Sequence, residues 1–390
     1  MNQGKYVFAQ LIEFLSHNDF IACVKKYQGN YKVKSFTCWH QMLYMIFGQL
    51  SNRESLSDLI TCLDSQCSKS YHLGMGKGTS KSNLAKANEK RDYHIYEDFA
   101  YILVAQAQKL VNPASILEVN ITAPVYAIDA TVIDLCLSVF WWGKFKQNKA
   151  AIKLHTMFDV KTNIPTFIFI TNGIVHDVKA MDNFPIDNGS YYVMDKAYID
   201  YERLFRIHKS RAFFITRAKD NLKFVRCSSR IVDKGTGIKC DQTIRLKHQK
   251  VLITYPENIR RLKYYDSEIN AEFVFLTNNF ETSALDIARL YKYRWKIELF
   301  FKWIKQHLKV KTFWGYSMNA VKTQVYIAII TYLRVAIIKQ KLKLKQTQYE
   351  ILQILSISLM CKTPILELFE TTYPQYVKEL QTNQLDLFLL

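Results

Sequence analysis

The chain has 390 residues, with 53 Lys and Arg against 34 Asp and Glu, a formal net charge of +19 and a pI near 9.4. Apolar residues make up 49%, with 24 Tyr and 24 Phe, so a disordered basic tail is excluded: the material for a core is present. Gly (12) and Pro (7) are too few for a collagen-like or low-complexity chain. The excess of positive charge says nothing about fold, but it favours an anionic partner, with nucleic acid first among them.

The N-terminal stretch MNQGKYVFAQLIEFLSHNDF is broken by polar and acidic residues and does not read as a signal peptide. No uninterrupted apolar run reaches the ~18 residues of a membrane span. The best stretch, Tyr326 to Ile338, carries Arg334. The eight Cys are scattered, without CxxC or zinc-finger spacing, which suggests reduced thiols and a cytoplasmic protein.

Residues 1–120 read as helical. Apolar positions recur at three and four in FAQLIEFL and WHQMLYMIFGQL, and the polar SNRESLSDLITCL follows the second. Gly74, Gly76 and Gly78 then break the chain, and Ser80 or Ser82 can cap a helix carrying Lys86, Lys90 and Arg91. A turn followed by a basic helix suits a helix-turn-helix-like DNA contact, and an ordinary solvated helix fits as well. From Tyr126 short β-rich runs take over: YAIDATVIDLCLSVF, AAIKLHTMFDV, IPTFIFITNG, YYVMD and AFFITRA, with a helix over YIDYERLFRIHKS. Residues 220–281 alternate polar and apolar between Gly and Asn turns, which predicts a β-rich insertion. Residues 217–263 hold 13 Lys/Arg against 4 Asp/Glu. Residues 283–309 read as one long helix with Ser283 as N-cap, and the chain from Val321 on as helices with an apolar face that packs on the core or on a second subunit.

Three acids sit where acids are awkward. Asp129 lies inside the apolar strand YAIDAT, Asp195 ends YYVMD, and Glu298 is mid-helix among aromatics. Buried carboxylates need partners, a metal or a raised pKa. On an unbroken helix, Tyr291, Arg294, Glu298 and Lys305 fall within roughly 60° of one another at about 100° per residue. One stripe then carries a phenol, a guanidinium, a carboxylate and an ammonium. An i, i+4 ion pair between Arg294 and Glu298 is the plainer alternative. Asp134, His155 and Asp159 are weaker candidates for groups supporting the site.

The segment YKYRWKIELFFKWIK resembles the Y-(2)-R-(3)-E-(6)-K signature of bacterial insertion-sequence transposases of family four, matched at Tyr291, Arg294, Glu298 and Lys305. IDAT around Asp129 and MDKAY around Asp195 are similar to that family's two aspartate motifs, usually IDST and DRGY, with Ala130 and Lys196–Ala197 as departures. The resemblance extends over most of residues 36–370. It implies an α/β, RNase H-like mixed-sheet catalytic core with a β-rich insertion, flanked by helical N- and C-terminal regions. The expected divisions are a DNA-binding region (1–120), the first part of the core (121–219), the insertion (220–281), the second part with the Glu298 helix (282–335) and a C-terminal helical region for dimerisation (336–390).

By the same resemblance, Asp129, Asp195 and Glu298 hold two Mg²⁺, with Mn²⁺ able to substitute, and Tyr291, Arg294, Trp295, Lys302, Lys305, Lys86, Lys90 and Arg91 contact DNA. Hard carboxylate oxygens suit Mg²⁺, and two ions about 3.5–4 Å apart can activate an oxygen nucleophile and neutralise a leaving oxygen. Without metal, three carboxylates repel one another. The implied activity is cut-and-paste transposition by a homodimer on the terminal inverted repeats, in the bacterial cytoplasm at the nucleoid. A member that flips a base during hairpin formation would use a Trp in the insertion. Residues 196–290 contain none, leaving Tyr264, Tyr265 or Phe224 to stack. The alternatives are another RNase H-like DNA nuclease, and a catalytically inactive, domesticated DNA-binding protein.

Overall fold

The computed structural model describes residues 4–111, 119, 121–136, 138–146, 149–307 and 313–370. Seven helices open the chain: α1 (Val7–Glu13), α2 (His17–Lys26), α3 (Cys38–Leu50), α4 (Leu56–Asp64), α5 (Cys67–Ser70), α6 (Lys81–Lys90) and α7 (His94–Leu110). Their starts are written in side chains. Thr37 and His40 form a reciprocal cap on α3, and Ser55 and Ser80 accept from the third backbone N–H of α4 and α6. Gly74, Gly76 and Gly78 all have positive φ (75°, 72° and 92°), which is why the turn before α6 is built from them.

The strands follow as β1 (Val125–Leu135), β2 (Lys144–Lys146), β3 (Lys149–Asp159) and β4 (Ile164–Asn172); then come the short α8 (Asp177–Ala180), β5 (Tyr191–Met194), α9 (Tyr201–Lys209) and β6 (Phe213–Arg217). β1 pairs antiparallel with β3, and β3 with β4, whereas β1, β5 and β6 run parallel. An antiparallel meander joined to parallel strands, with helices on both faces, is the mixed α/β architecture of an RNase H-like core.

The 220–281 stretch contains β7 (Phe224–Arg230), β8 (Ile238–Leu246), α10 (Gln249–Thr254), β9 (Ile259–Asp266) and β10 (Ala271–Thr277). These strands do not form a sheet of their own. β10 pairs with β6, and the order runs on through β9, β8 and β7, so the core and the insertion share one ten-stranded sheet.

The expected single helix over 283–309 is two: α11 (Ala284–Lys292), capped by Ser283, and α12 (Trp295–His307), with a turn at Tyr293–Arg294. At the break, Lys296 and Ile297 donate three residues back, to Tyr293 and Arg294, instead of four. Three helices close the described chain: α13 (Met318–Lys341), α14 (Gln348–Ser358) and α15 (Ile365–Phe369).

α13 is longer and more apolar than the Tyr326–Ile338 run suggested. By length and composition it could cross a membrane, yet nearly all of its apolar stretch is buried inside the protein. It is buried continuously from Val325 to Ile338, packed against α3, α6, α7 and α14, and Arg334 lies over the Phe14 ring at 5.1 Å. It is the central core helix, not a one-sided surface helix.

Strand alternation splits the core in two. Val125, Ala127, Tyr191 and Val193 face the large cluster shared with α12 and α13, and Tyr126, Ile128, Tyr192 and Met194 face the smaller cluster under α9. All eight cysteines are free thiols.

Candidate active site

The same alternation places the two aspartates. Asp129 follows Ala127 by two residues and Asp195 follows Val193 by two, so both point to the face covered by α12. The parallel register pairs Ile128 with Met194, which sets Asp129 and Asp195 one step further along neighbouring strands, about 4.8 Å apart in backbone. Asp195 is held at its backbone by the Thr216 hydroxyl, which donates to its carbonyl at 3.2 Å.

α12 is seated on that face by Ile297, Phe300, Phe301 and Ile304, with the Phe300 ring 5.2 Å from Phe158 of β3. Lys296 donates to the Val160 carbonyl at 2.7 Å and fixes the first turn. Glu298, one turn in, therefore faces the strand ends.

The turn at Tyr293–Arg294 aims Arg294 between the acids. Its guanidinium donates to Asp129 Oδ2 at 3.2 Å and to Glu298 Oε1 at 2.5 Å. The Tyr291 hydroxyl lies 3.5 Å from Asp195 Oδ1. Five residues separated by up to 169 positions in sequence thus meet at one point. The plain i, i+4 pair is present, but it is part of a bridge that also reaches Asp129.

Burial pushes the Asp129 carboxyl up to about 6; the charges of Glu298 and Asp195 add to this, while the Ala130 N–H and Arg294 pull it back. Burial also raises Tyr291 to about 12, so its phenol stays protonated. Among the described residues, no group of three His, Cys, Asp or Glu side chains is gathered closely enough to hold a metal. The donor chemistry still fits divalent ions: Arg294 joins the carboxylates of Asp129 and Glu298, and Tyr291 on the preceding helix reaches that of Asp195, so three hard oxygen donors border one cationic group.

Other residues at this place were not expected from sequence. The Tyr198 hydroxyl is buried without a hydrogen-bond partner; burial pushes its pKa well up, and the charges of Asp129 and Asp195 add to this. Arg217, at the end of β6, stacks on Phe273 at 5.0 Å and, with Tyr264, Tyr291, Arg294 and Trp295, lines a cavity of about 750 Å³. Lys219 lines an open hollow with Asp195 and Lys196. A basic residue just after an apolar strand, as in AFFITRAK, is the signal that would have found Arg217 and Lys219.

The weaker candidates sit elsewhere. His155 is a core residue, bonded to the Thr171 hydroxyl at 2.8 Å and held neutral, its pKa lowered to about 4 by burial. Asp159 accepts the Lys161 and Thr162 N–H groups and shapes the β3–β4 turn. Asp134 is exposed.

A family model described as "Transposase DDE domain" matches residues 121–334, more than half of the chain. The chain belongs to this family. A second model, described as "Domain of unknown function (DUF4372)", matches residues 3–76, within the N-terminal helices. The chain is similar to a protein of Sinorhizobium fredii named as transposase y4zB, 32% identical over 71% of this chain and 76% of that one. It is also similar to a transposase named for insertion sequence element IS5377 of Geobacillus stearothermophilus, 25% identical over 64% and 65%. A third relative, named as the transposase of element IS4SA of Synechocystis, is 27% identical over 66% and 71%. The protein is a DDE transposase of the insertion-sequence kind, an enzyme that acts on DNA, and enzymes of this family use divalent metal ions.

The DNA-contact candidates of this transposase divide into two groups. Trp295 and Leu299 are 58% and 50% exposed, and with Lys302 they form a solvent-facing stripe along α12, so this helix is not packed around its whole girth. Lys305 lies two turns beyond Glu298, half-buried. Lys86 and Lys90 are exposed on α6, far along the chain from the acids. Arg91 is committed within the protein: it donates to Gln41 Oε1 at 2.9 Å and to the Phe36 carbonyl, and covers the Phe36 ring at 5.4 Å. Lys309 and Lys311, which add to the basic character of this stretch, lie outside the described residues.

Proposed function

We propose that Asp129, Asp195 and Glu298 hold two Mg²⁺ ions, with Mn²⁺ able to substitute, and that this transposase of family four cuts element ends at their terminal inverted repeats and joins the freed 3′-OH to target DNA. The observation that carries the reading is the convergence of the three acids on Arg294 and Tyr291. Bound between the acids, the ions would activate the attacking oxygen and neutralise the leaving one. Arg294 and Lys305 grip backbone phosphates, the first in a two-pronged way and the second as a point charge. Tyr291, kept protonated, donates a hydrogen bond to a phosphate oxygen. Trp295 and Lys302 present the exposed stripe of α12 to the duplex, and Tyr264, Trp295 and Phe273 supply aromatic faces beside the site.

The basic 217–263 stretch and α6, through Lys86 and Lys90, bind DNA away from the cut. Arg91 serves by holding α6 to the Phe36 loop and does not itself reach DNA. The enzyme works as a homodimer on paired ends, in the cytoplasm. The divisions at 120, 219, 281 and 335 stand as proposed functional units of one continuous sheet-and-helix body.

The test is incubation of the protein and Mg²⁺ with duplexes carrying the element's ends. The expected products are cut ends and strand-transfer joints, lost by about 10³-fold or more in Asp129→Asn, Asp195→Asn and Glu298→Gln while DNA binding persists. Full cleavage by any of these variants would remove that acid from the catalytic set.

A further inference from the structure

Arg294 is the best-connected charged side chain at the site. One nitrogen serves Asp129 at 3.2 Å and another serves Glu298 at 2.5 Å. Its side chain is only 16% exposed, and its Nε is buried with no hydrogen-bond partner. A guanidinium whose two ends are engaged by two acids fills the space between them. Charges of one sign packed this closely are unfavourable unless a counter-charge separates them. Arg294 also lines the cavity that holds Tyr291 and Trp295, so the side chain borders open space on its other side.

We propose that Arg294 is the built-in counter-ion of the metal-free site: it holds Asp129 and Glu298 in place, competes with divalent cations for them, and must turn away into the neighbouring cavity before a metal can take both acids. Arg294 is then a positioning residue before DNA arrives and a phosphate ligand afterwards. The two roles exclude each other in time. A phosphate in the cavity draws the guanidinium off the acids, so DNA binding and metal binding favour one another through a single side chain. The inference rests on the reading of the three acids as metal ligands.

The probe is Mn²⁺ alone, titrated into DNA-free full-length protein and followed by the loss of its free-ion electron spin resonance signal. Arg294→Gln should bind Mn²⁺ about tenfold more tightly than the parent, within the usual range of coupling between sites. The metal-free variant should melt lower than the parent and gain more in melting temperature from Mn²⁺. A purely structural role would lower both melting points alike. Arg294→Lys, with a charge that cannot bridge two acids, should fall between. Lys302→Gln removes the same charge from an exposed position on α12 and should shift the affinity less than twofold. Equal or weaker Mn²⁺ binding by Arg294→Gln, or an equal gain from Lys302→Gln, overturns the counter-ion role and leaves the metal site standing. No Mn²⁺ binding by either protein at millimolar concentration overturns both.

Discussion

Arg260 is buried at the start of β9 and grips Asp241 of β8 with two nitrogens, at 2.9 and 2.7 Å. Its third nitrogen donates to the Thr282 carbonyl at 2.6 Å and the Asn279 carbonyl at 3.2 Å. One guanidinium therefore ties the insertion to the turn that launches α11. Arg260→Leu strands a buried carboxylate and should cost about 3–5 kcal/mol by denaturant unfolding, whereas Arg260→Leu with Asp241→Leu should recover much of the loss. Asp129 is a titrating case. Its carboxyl rises from 3.8 to about 6 on folding, mainly by burial. The folded state thus holds this proton more tightly than the unfolded chain. The stability it contributes is complete below about pH 4 and is lost as the pH rises through about 6. The loss is on the order of 2–3 kcal/mol. In metal-free protein, Asp129→Asn should flatten the fall in melting temperature between pH 4 and 6. An unchanged slope would mean that other groups govern it.

At the scale of elements, the turn at Asn278–Asn279 decides where α11 starts. Asn278 accepts from the Phe214 N–H and donates to the Ala212 carbonyl, both at β6. Asn279 accepts the Glu281 and Thr282 N–H groups and donates to the Tyr191 hydroxyl. Asn279→Ala should cost about 1–3 kcal/mol and speed amide exchange in the first turn of α11. Little change would show that Arg260 alone anchors the helix.

Asp129, Asp195 and Glu298 were legible because each interrupts an apolar pattern, and period-two alternation alone puts the aspartates on one face. The break at Tyr293–Arg294 was not legible. Good helix formers flank it, with no Gly or Pro to mark it, and only the contacts of Arg294 with Asp129 and of Lys296 with Val160 show why the chain turns. Nor could the sequence show that β10 would pair with β6, since an edge pairing depends on which strand is left open. Arg91 read as a DNA contact at the end of a basic helix; it stands just past α6, and only tertiary packing brings Gln41 and the Phe36 carbonyl to it.

Across the whole molecule, the charge has a location. The 217–263 stretch carries nine positive charges in excess, close to half of the total of +19. If six to ten phosphates are neutralised, affinity for element ends should fall by about 10³–10⁵ between 50 and 200 mM salt, read from a binding titration. A flat response would mean that the charge serves another purpose. Mg²⁺ or Mn²⁺ should raise the melting temperature of the intact protein, because each binds the folded state and not the scattered acids of the unfolded chain. No rise would count against the metal site.

The two ends of the described chain meet. The Val7 and Phe8 N–H groups donate to the Cys361 and Leu359 carbonyls, and the buried Gln10 side chain donates to the Thr363 carbonyl and accepts from the Ile365 N–H. α13, around which α3, α6 and α7 pack, also comes late in the chain. On a ribosome adding about 5–20 residues per second, the first helices wait roughly 15–70 s for the partners that bury them. During that interval α1–α7 can pack on one another, but the faces of α3, α6 and α7 that α13 covers stay bare. The N-terminal helices therefore gain their full packing only once α13 has been made. Chains stopped before Met318 should be captured by chaperones and cleaved by protease in the α1–α7 stretch, while the finished chain resists.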